Sequence, residues 1–170
     1  LSSVSVDGSG DGDLQSAADA LTPNDTIRLA SNEVTYSSLI TNKSLVLTAV
    51  SGQPQIDTLG ISGSNVNTDT LTIEGSLLVN DNISPTNGNI KTGLNSEITL
   101  GDSIQATNEG SGRLVGNFVT TPRSIGPQES INVLGSIIQG SNRANALSNL
   151  VIRRVSGDAG IIREEESQSI

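Results

Sequence analysis

Leu71-Thr72-Ile73-Glu74-Gly75-Ser76-Leu77 is answered by Ile98-Thr99-Leu100-Gly101-Asp102-Ser103-Ile104, each position twenty-seven residues later. An earlier relative, Leu45-Val46-Leu47-Thr48, lies twenty-six residues before Leu71, and Ile27-Arg28-Leu29 leads the series. Alternation of apolar and polar residues makes each segment a half-buried strand. A return interval in the twenties is the mark of stacked coils. A coil cannot bury its apolar face alone, so each rests on the one before, giving a rod with an apolar axis and a polar exterior. The interval predicts that Ile73 stacks with Leu100, and Leu77 with Ile104.

Composition agrees with a narrow interior. Hydrophobic residues make up 34% of the 170, and Tyr36 and Phe118 are the only aromatics, so the core is built from Leu, Ile, Val and Ala. A sandwich of this size uses bulky aromatics to fill the space between its sheets. The chain has no Cys and no His, which removes disulfides, thiolate chemistry, the commonest general base and ordinary zinc sites. A net charge of −9, with Arg153-Arg154 the longest basic run, would repel nucleic acid and anionic membranes. The apolar runs are too short to span a bilayer as a helix, so no membrane insertion is expected. The absence of Met, with Leu1 at the start, is expected of a processed product or a fragment.

The opening Val4-Ser5-Val6 reads as a short strand, followed by a Gly/Asp turn from Asp7 to Asp13. Leu14, Ala17, Ala18 and Leu21 then fall at helical spacing behind Asp13 as an N-cap. The helix is expected to lie over the end of the first coil, with Leu14, Ala17 and Leu21 facing Ile27 to Leu29, because an exposed terminal coil invites pairing. Pro23-Asn24-Asp25 turns the chain into Thr26-Ile27-Arg28-Leu29.

This order of elements, together with Asn42-Lys43-Ser44-Leu45-Val46-Leu47-Thr48, resembles the N-terminal start of right-handed parallel β-helices of the pectin-lyase-like class. The resemblance covers the first sixty residues or so. It implies a fold and not an activity, since the carboxylate and Arg constellations of pectin-degrading members find no matching positions here.

Further strands are expected over 55–61, 70–73, 76–79, 89–91, 97–100, 103–106 and 113–119, with corners at Gly60, Gly63, Asn80-Asp81-Asn82, Asn87-Gly88-Asn89 and 108–112. Pro122 and Pro127 bracket a linker, and Asn149 to Val155 forms a late strand. This last region, with Ser96-Glu97-Ile98-Thr99-Leu100-Gly101, Leu150-Val151-Ile152-Arg153-Arg154-Val155-Ser156-Gly157 and the ending Glu166-Ser167-Gln168-Ser169-Ile170, resembles segments of long secreted and surface proteins of gliding Bacteroidetes-type bacteria. The resemblance implies a chain that works outside the cell. The expected organisation is therefore a cap over 1–26, coils over 27–120 and a β-rich C-terminal segment over 121–170 that continues into a neighbouring domain.

Asp7, Ser9, Asp11 and Asp13 alternate with glycines and could wrap a hard cation, calcium being the one such a loop takes. An EF-hand match fails at its far end, where Ala18 replaces the bidentate Glu, and the same pattern serves to reverse the chain and start the helix. Glu164, Glu165 and Glu166, after Arg163, read as a solvated charged end. Asp57, Asp69, Asp81 and Asp102, with Arg28 or Arg113, are the residues a polysaccharide lyase or hydrolase would have to use. Thr70, Thr72 and Thr99 suggest a polar face of the kind that orders water in ice-binding solenoids, repeated over too few coils.

The fold expected is all-β: a right-handed parallel β-helix with one short N-terminal capping helix and a β-rich C-terminal segment. The function expected is that of a non-catalytic structural or adhesive module of a long extracellular surface protein or appendage. Its partners would be copies of itself, further domains of the same polypeptide, or surface glycans. A polysaccharide-binding or polysaccharide-cleaving domain is the alternative. No catalytic residue is nominated, and no cofactor beyond the calcium of the Gly/Asp turn.

Overall fold

A computed structural model describes residues 1–9, 13–107, 109–141 and 146–156. The chain enters with β1 (Ser3–Val6) and the helix α1 (Asp13–Ala20). The next coil holds β2 (Thr26–Leu29), β3 (Thr35–Tyr36) and β4 (Leu39–Thr41), followed by β5 (Leu45–Ala49) and β6 (Gln55–Ser62). Then come β7 (Thr70–Glu74), β8 (Ser76–Asn87), β9 (Asn89–Thr92), β10 (Glu97–Leu100) and β11 (Arg113–Thr120). β12 (Arg123–Ile125), β13 (Ser130–Val133), β14 (Ser136–Gln139), β15 (Leu147–Leu150) and β16 (Arg153–Ser156) follow.

The chain is a parallel β-solenoid. One face stacks β1, β2, β5, β7, β9 and the start of β11; the other stacks β3 and β4, then β6, β8, β10 and the end of β11. Register builds inward columns along the axis. Val4, Ile27, Leu47, Ile73 and Thr92 make one, and Leu45, Leu71, Ile90 and Leu114 another. Ile56, Val79 and Leu100 form a column on the second face. Apart from Val4, which is half-buried and packs against them, these aliphatic side chains share a single buried cluster. Tyr36 and Phe118, the two aromatics, are both fully buried within it.

The coil register departs from the twenty-seven-residue interval. Leu71 to Leu77 crosses a corner at Gly75 (φ 88°), so its first half lies on one face and its second on the other. Leu77 pairs with Ile98 and Val79 with Leu100, while Ile73 sits between Leu47 and Thr92. Alternation looks the same on both faces, so a sequence match cannot separate a stacked strand from one across the core. Coil length also varies: Ile27 to Leu47 is twenty residues and Leu47 to Ile73 twenty-six. Ile73 and Leu100 nonetheless enter one core, at 1% and 0% exposure.

The expected corner at Asn80-Asp81-Asn82 lies inside β8, where the pairing with β6 shifts between Val79 and Asn82. None of the three has a left-handed backbone; the extra length is absorbed as a bulge. The expected strand over 103–106 reduces to a single bridge from Ala106 to Asn132. Thr72 and Thr99 project from different faces, so the supposed Thr array does not form.

Gly116 marks the change of face within β11. Its φ is 111°, and a Cβ there would stand 2.0 Å from Thr92 Oγ1, which accepts the Asn117 N–H at 2.9 Å. Parallel pairing between strands ends on this strand, with β16 running antiparallel to Gly116–Val119, and only the parallel bridge from Ala106 to Asn132 lies beyond it among the described residues. β13 and β14 form a hairpin through Leu134 and Gly135, both left-handed at φ 55° and 79°, and β12 pairs with β15. The stretch between Pro122 and Pro127, expected as a linker, thus carries β12. The late strand expected from Asn149 to Val155 is broken in two. Asn149 is left-handed and Ile152 turns into the core, its N–H donating to Thr120 Oγ1 at 3.0 Å.

The helix covers a different edge from the one expected. It packs on β4 and β1 rather than on Ile27 to Leu29, with Leu14 and Ala18 as its buried residues. Eight residues are too few to hold a helix alone, so tertiary partners fix it. Gln15 pairs with the Ile40 backbone, and Lys43 Nζ donates to the Asp19 and Leu21 carbonyls at 3.1 and 2.6 Å, placing a cation on the helix C-terminus.

Candidate functional site

The N-terminal turn and the coil corners carry the polar chemistry. Asp7 follows β1 and accepts the Ser9 N–H at 3.0 Å; hydrogen bonds from Ser9 hold its carboxyl below the ordinary 3.8. Asp13 begins α1, where an acidic residue suits the positive end of the helix. Asp11 lies outside the described residues. Asp13 stands between two open clefts of about 410 Å³ each. The first is lined by Ser9, Asp13, Thr35, Tyr36, Ser37 and Asp57, and the second by Asp7 and Asp13 with β1. Among the described residues no three carboxylates gather closely enough to hold a metal ion.

Three of the four coil carboxylates share one stretch of the second face. Asp57, Asp81 and Asp102 each follow a member of the Ile56–Val79–Leu100 column by one or two residues. Neighbouring coils sit about 4.8 Å apart, so such residues form a row along the rod and not a cage. Asn80 Nδ2 donates to Asp57 at 3.4 Å, while Asp81 and Asp102 are exposed. Asp69 lies elsewhere and shapes its own loop, accepting the Asn65 N–H at 2.8 Å. Arg28 points outward from β2, and Arg113 lies near Glu109 at the C-terminal end. Neither Arg lines the cleft that holds Asp57.

Asn side chains tie one coil to the next instead of stacking on each other. Asn87 Nδ2 donates to the Gly63 carbonyl at 2.6 Å and Asn89 Nδ2 to the Val66 carbonyl at 2.9 Å. Both aromatic rings face inward, and the Tyr36 hydroxyl donates to the Val6 carbonyl at 2.9 Å and accepts the Ser31 N–H at 3.1 Å. A sugar would find no aromatic platform among the described residues.

The row of carboxylates ends at a buried cation. Arg123 is 5% exposed and donates to the Gly101 carbonyl at 2.6 Å, the Leu100 carbonyl at 3.4 Å and the Ile104 carbonyl, leaving Nε without a partner. Burial lowers its pKa, and the nearby Asp102 charge offsets part of that. Asp25, also buried, takes hydrogen bonds from the Ser2 N–H and from the Thr22 N–H and hydroxyl at 2.5, 2.9 and 2.7 Å. These hold its carboxyl at about 2.

At the far end Glu109 and Arg154 form a forked pair, with Nη2 to Oε2 at 3.0 Å. The pair also serves the backbone of Leu114: Glu109 accepts its N–H at 3.0 Å and Arg154 donates to its carbonyl. Partial burial raises the Glu109 pKa, but the hydrogen bonds from Arg154 and Leu114 and the Arg charges outweigh it, so the carboxyl sits below 4.5. Sequence reading missed Gln15, Asp25, Arg123 and this pair, because each ties together segments that lie twenty or so residues or more apart in the chain. The run Glu164 to Glu166, with Arg163, lies outside the described residues. No protein-family model, no curated protein and no solved structure matches this chain.

Proposed function

We propose that this chain is a non-catalytic structural or adhesive module of a long extracellular surface protein or appendage, holding other elements away from the cell. The observation that carries the reading is the unbroken parallel ladder from β1 through β2, β5, β7 and β9 to β11, over an aliphatic core without a disulfide. Backbone hydrogen bonds in such a ladder run along the rod and resist extension together. An acidic surface with outward Ser, Thr and Asn keeps the rod soluble. In this reading its kin are pectin-lyase-like right-handed β-helices and long secreted proteins of gliding Bacteroidetes-type bacteria. Its partners are copies of itself, further domains of the polypeptide, or surface glycans.

Immunogold labelling of intact cells, with analytical ultracentrifugation of the full polypeptide, tests it. Surface signal and an elongated particle are expected; cytoplasmic signal or a compact monomer would sink the reading. A second reading, a polysaccharide-binding or polysaccharide-cleaving domain, is favoured by the cleft that brings Asp13 and Asp57 together. Saturable glycan binding or product release, lost in Asp57→Asn, would put it first.

A further inference from the structure

The cations of the described residues divide by what they touch. Lys43 lies on helix carbonyls, Arg123 is buried among carbonyls, and Arg153 and Arg154 are paired with Glu97 and Glu109. Arg28, Lys91 and Arg113 are exposed, and their side chains make no hydrogen bond or ion pair with the described residues. Arg113 lies near Glu109, but that carboxylate is already taken by Arg154 and the Leu114 N–H. All three free cations project from the face of β2, β5, β7, β9 and the start of β11, where register sets Lys91 between Thr72 and Val115. Glu74 is the one acid on those strands.

The second face has the opposite sign. Asp57, Asp81 and Asp102 run along it on three successive coils, and β3, β4, β6, β8 and β10 contain no Lys or Arg. Coils rise by about 4.8 Å in every copy, so two rods lying side by side keep step. With a stagger of one coil, Lys91 and Arg113 come level with Asp81 and Asp102. We infer that the first face of one rod docks side by side against the second face of another copy of this chain. First face on first face, or second on second, sets like charges together and is opposed. The net charge of −9 opposes close approach in every pose, so the contact depends on these unlike faces. Such a contact is heterologous: each copy keeps one basic and one acidic face free, and the product is a lateral array instead of a closed dimer. The inference deepens the proposal that copies of the chain are among its partners, and rests on that part of it alone.

Sedimentation velocity over a concentration series of the 170-residue chain tests it, with circular dichroism to check that each variant keeps the parent fold. The parent should sediment faster as concentration rises. Lys91→Glu with Arg113→Gln spoils the first face, and Asp81→Asn with Asp102→Asn spoils the second; either pair should weaken self-association about tenfold or more. An equimolar mixture of the two variants retains one intact face from each. It should form a dimer and nothing larger, a result that a symmetric contact does not give. A parent indifferent to concentration, variants that associate as the parent does, or an inert mixture would overturn the inference. So would a monomeric parent that binds polyglutamate and loses it in Lys91→Glu with Arg113→Gln, which gives the basic face to an acidic polymer. Surface labelling and an elongated full polypeptide with no lateral association would sink the contact and leave the stalk reading standing.

Discussion

Gln15 pairs with Ile40 as a neighbouring strand would: its amide donates to the Ile40 carbonyl at 3.1 Å and its carbonyl accepts the Ile40 N–H at 2.9 Å. One side chain of α1 thus closes the edge of β4 that faces the helix. Gln15→Ala should lower stability by about 1–2 kcal/mol, the net value of two partly exposed hydrogen bonds. It should also expose an edge to self-association. Gln15→Glu keeps an acceptor, loses the donor and should fall between. Urea midpoints with light scattering check the series, and a Gln15→Ala protein as stable and monodisperse as the parent would deny the side chain its capping role.

Ile73 stacks between Leu47 and Thr92 and faces the column that contains Leu100. Ile73→Asp or Leu100→Asp buries a charge with no partner and should cost more than about 4 kcal/mol, which leaves little folded protein. Ile73→Val removes one methylene and should cost about 1 kcal/mol. Thr72→Asp, on the outward side of the same strand, is the control and should stay folded. Equal tolerance of Ile73→Asp and Thr72→Asp would contradict the register.

Strand character and the solenoid were legible because alternation and turn residues are local signals. Thr26–Leu29 and Glu97–Leu100 occur with the limits that the residues predict. Stacking order was not legible, since Leu71 to Leu77 and Ile98 to Ile104 carry the same pattern on different faces. End caps were hidden for another reason. Arg123 reads as a lone basic residue between two prolines, and only folding brings it to the carbonyls of Gly101 and Ile104, about twenty residues earlier. The carboxylates Asp57, Asp81 and Asp102 were legible as candidates, whereas their arrangement as a row depends on the bulge in β8.

Asp25 gives the fold an acid limit. Its carboxyl sits at about 2 in the folded chain against an ordinary 3.8, so the charged form is favoured by folding. The stabilisation is complete above the ordinary value and fades as pH falls from about 4 toward about 2. Glu109, lowered from 4.5, contributes with the same sign. Melting temperature should therefore fall steeply through that acid range. Asp25→Asn should be less stable at neutral pH and show a shallower acid slope. An unchanged slope in the variant would assign the acid limit to other groups.

The two ion pairs that hold β16 differ in burial, and this separates a working cap from a surface contact. Arg153 and Glu97 meet at 2.7 Å with side chains 45% and 34% exposed, whereas Arg154 and Glu109 are 16% and 18% exposed and share the backbone of Leu114. Water screens the first pair, so its coupling in a double-mutant cycle should be about 0.5 kcal/mol. The second is forked, charge-assisted and half-enclosed, and should couple by about 2 kcal/mol. Arg154→Ala alone leaves Glu109 without its counter-charge and the Leu114 carbonyl without the donor that Arg154 supplied. It should cost more than Glu109→Ala with Arg154→Ala together adds beyond it. Hydrogen exchange supplies the local reading: in Arg154→Ala the amides of β11 and β16 should open faster while those of β2 and β5 keep their rates. Equal coupling for both pairs, or uniform loosening of the rod, would show that the C-terminal edge is closed by strand pairing alone.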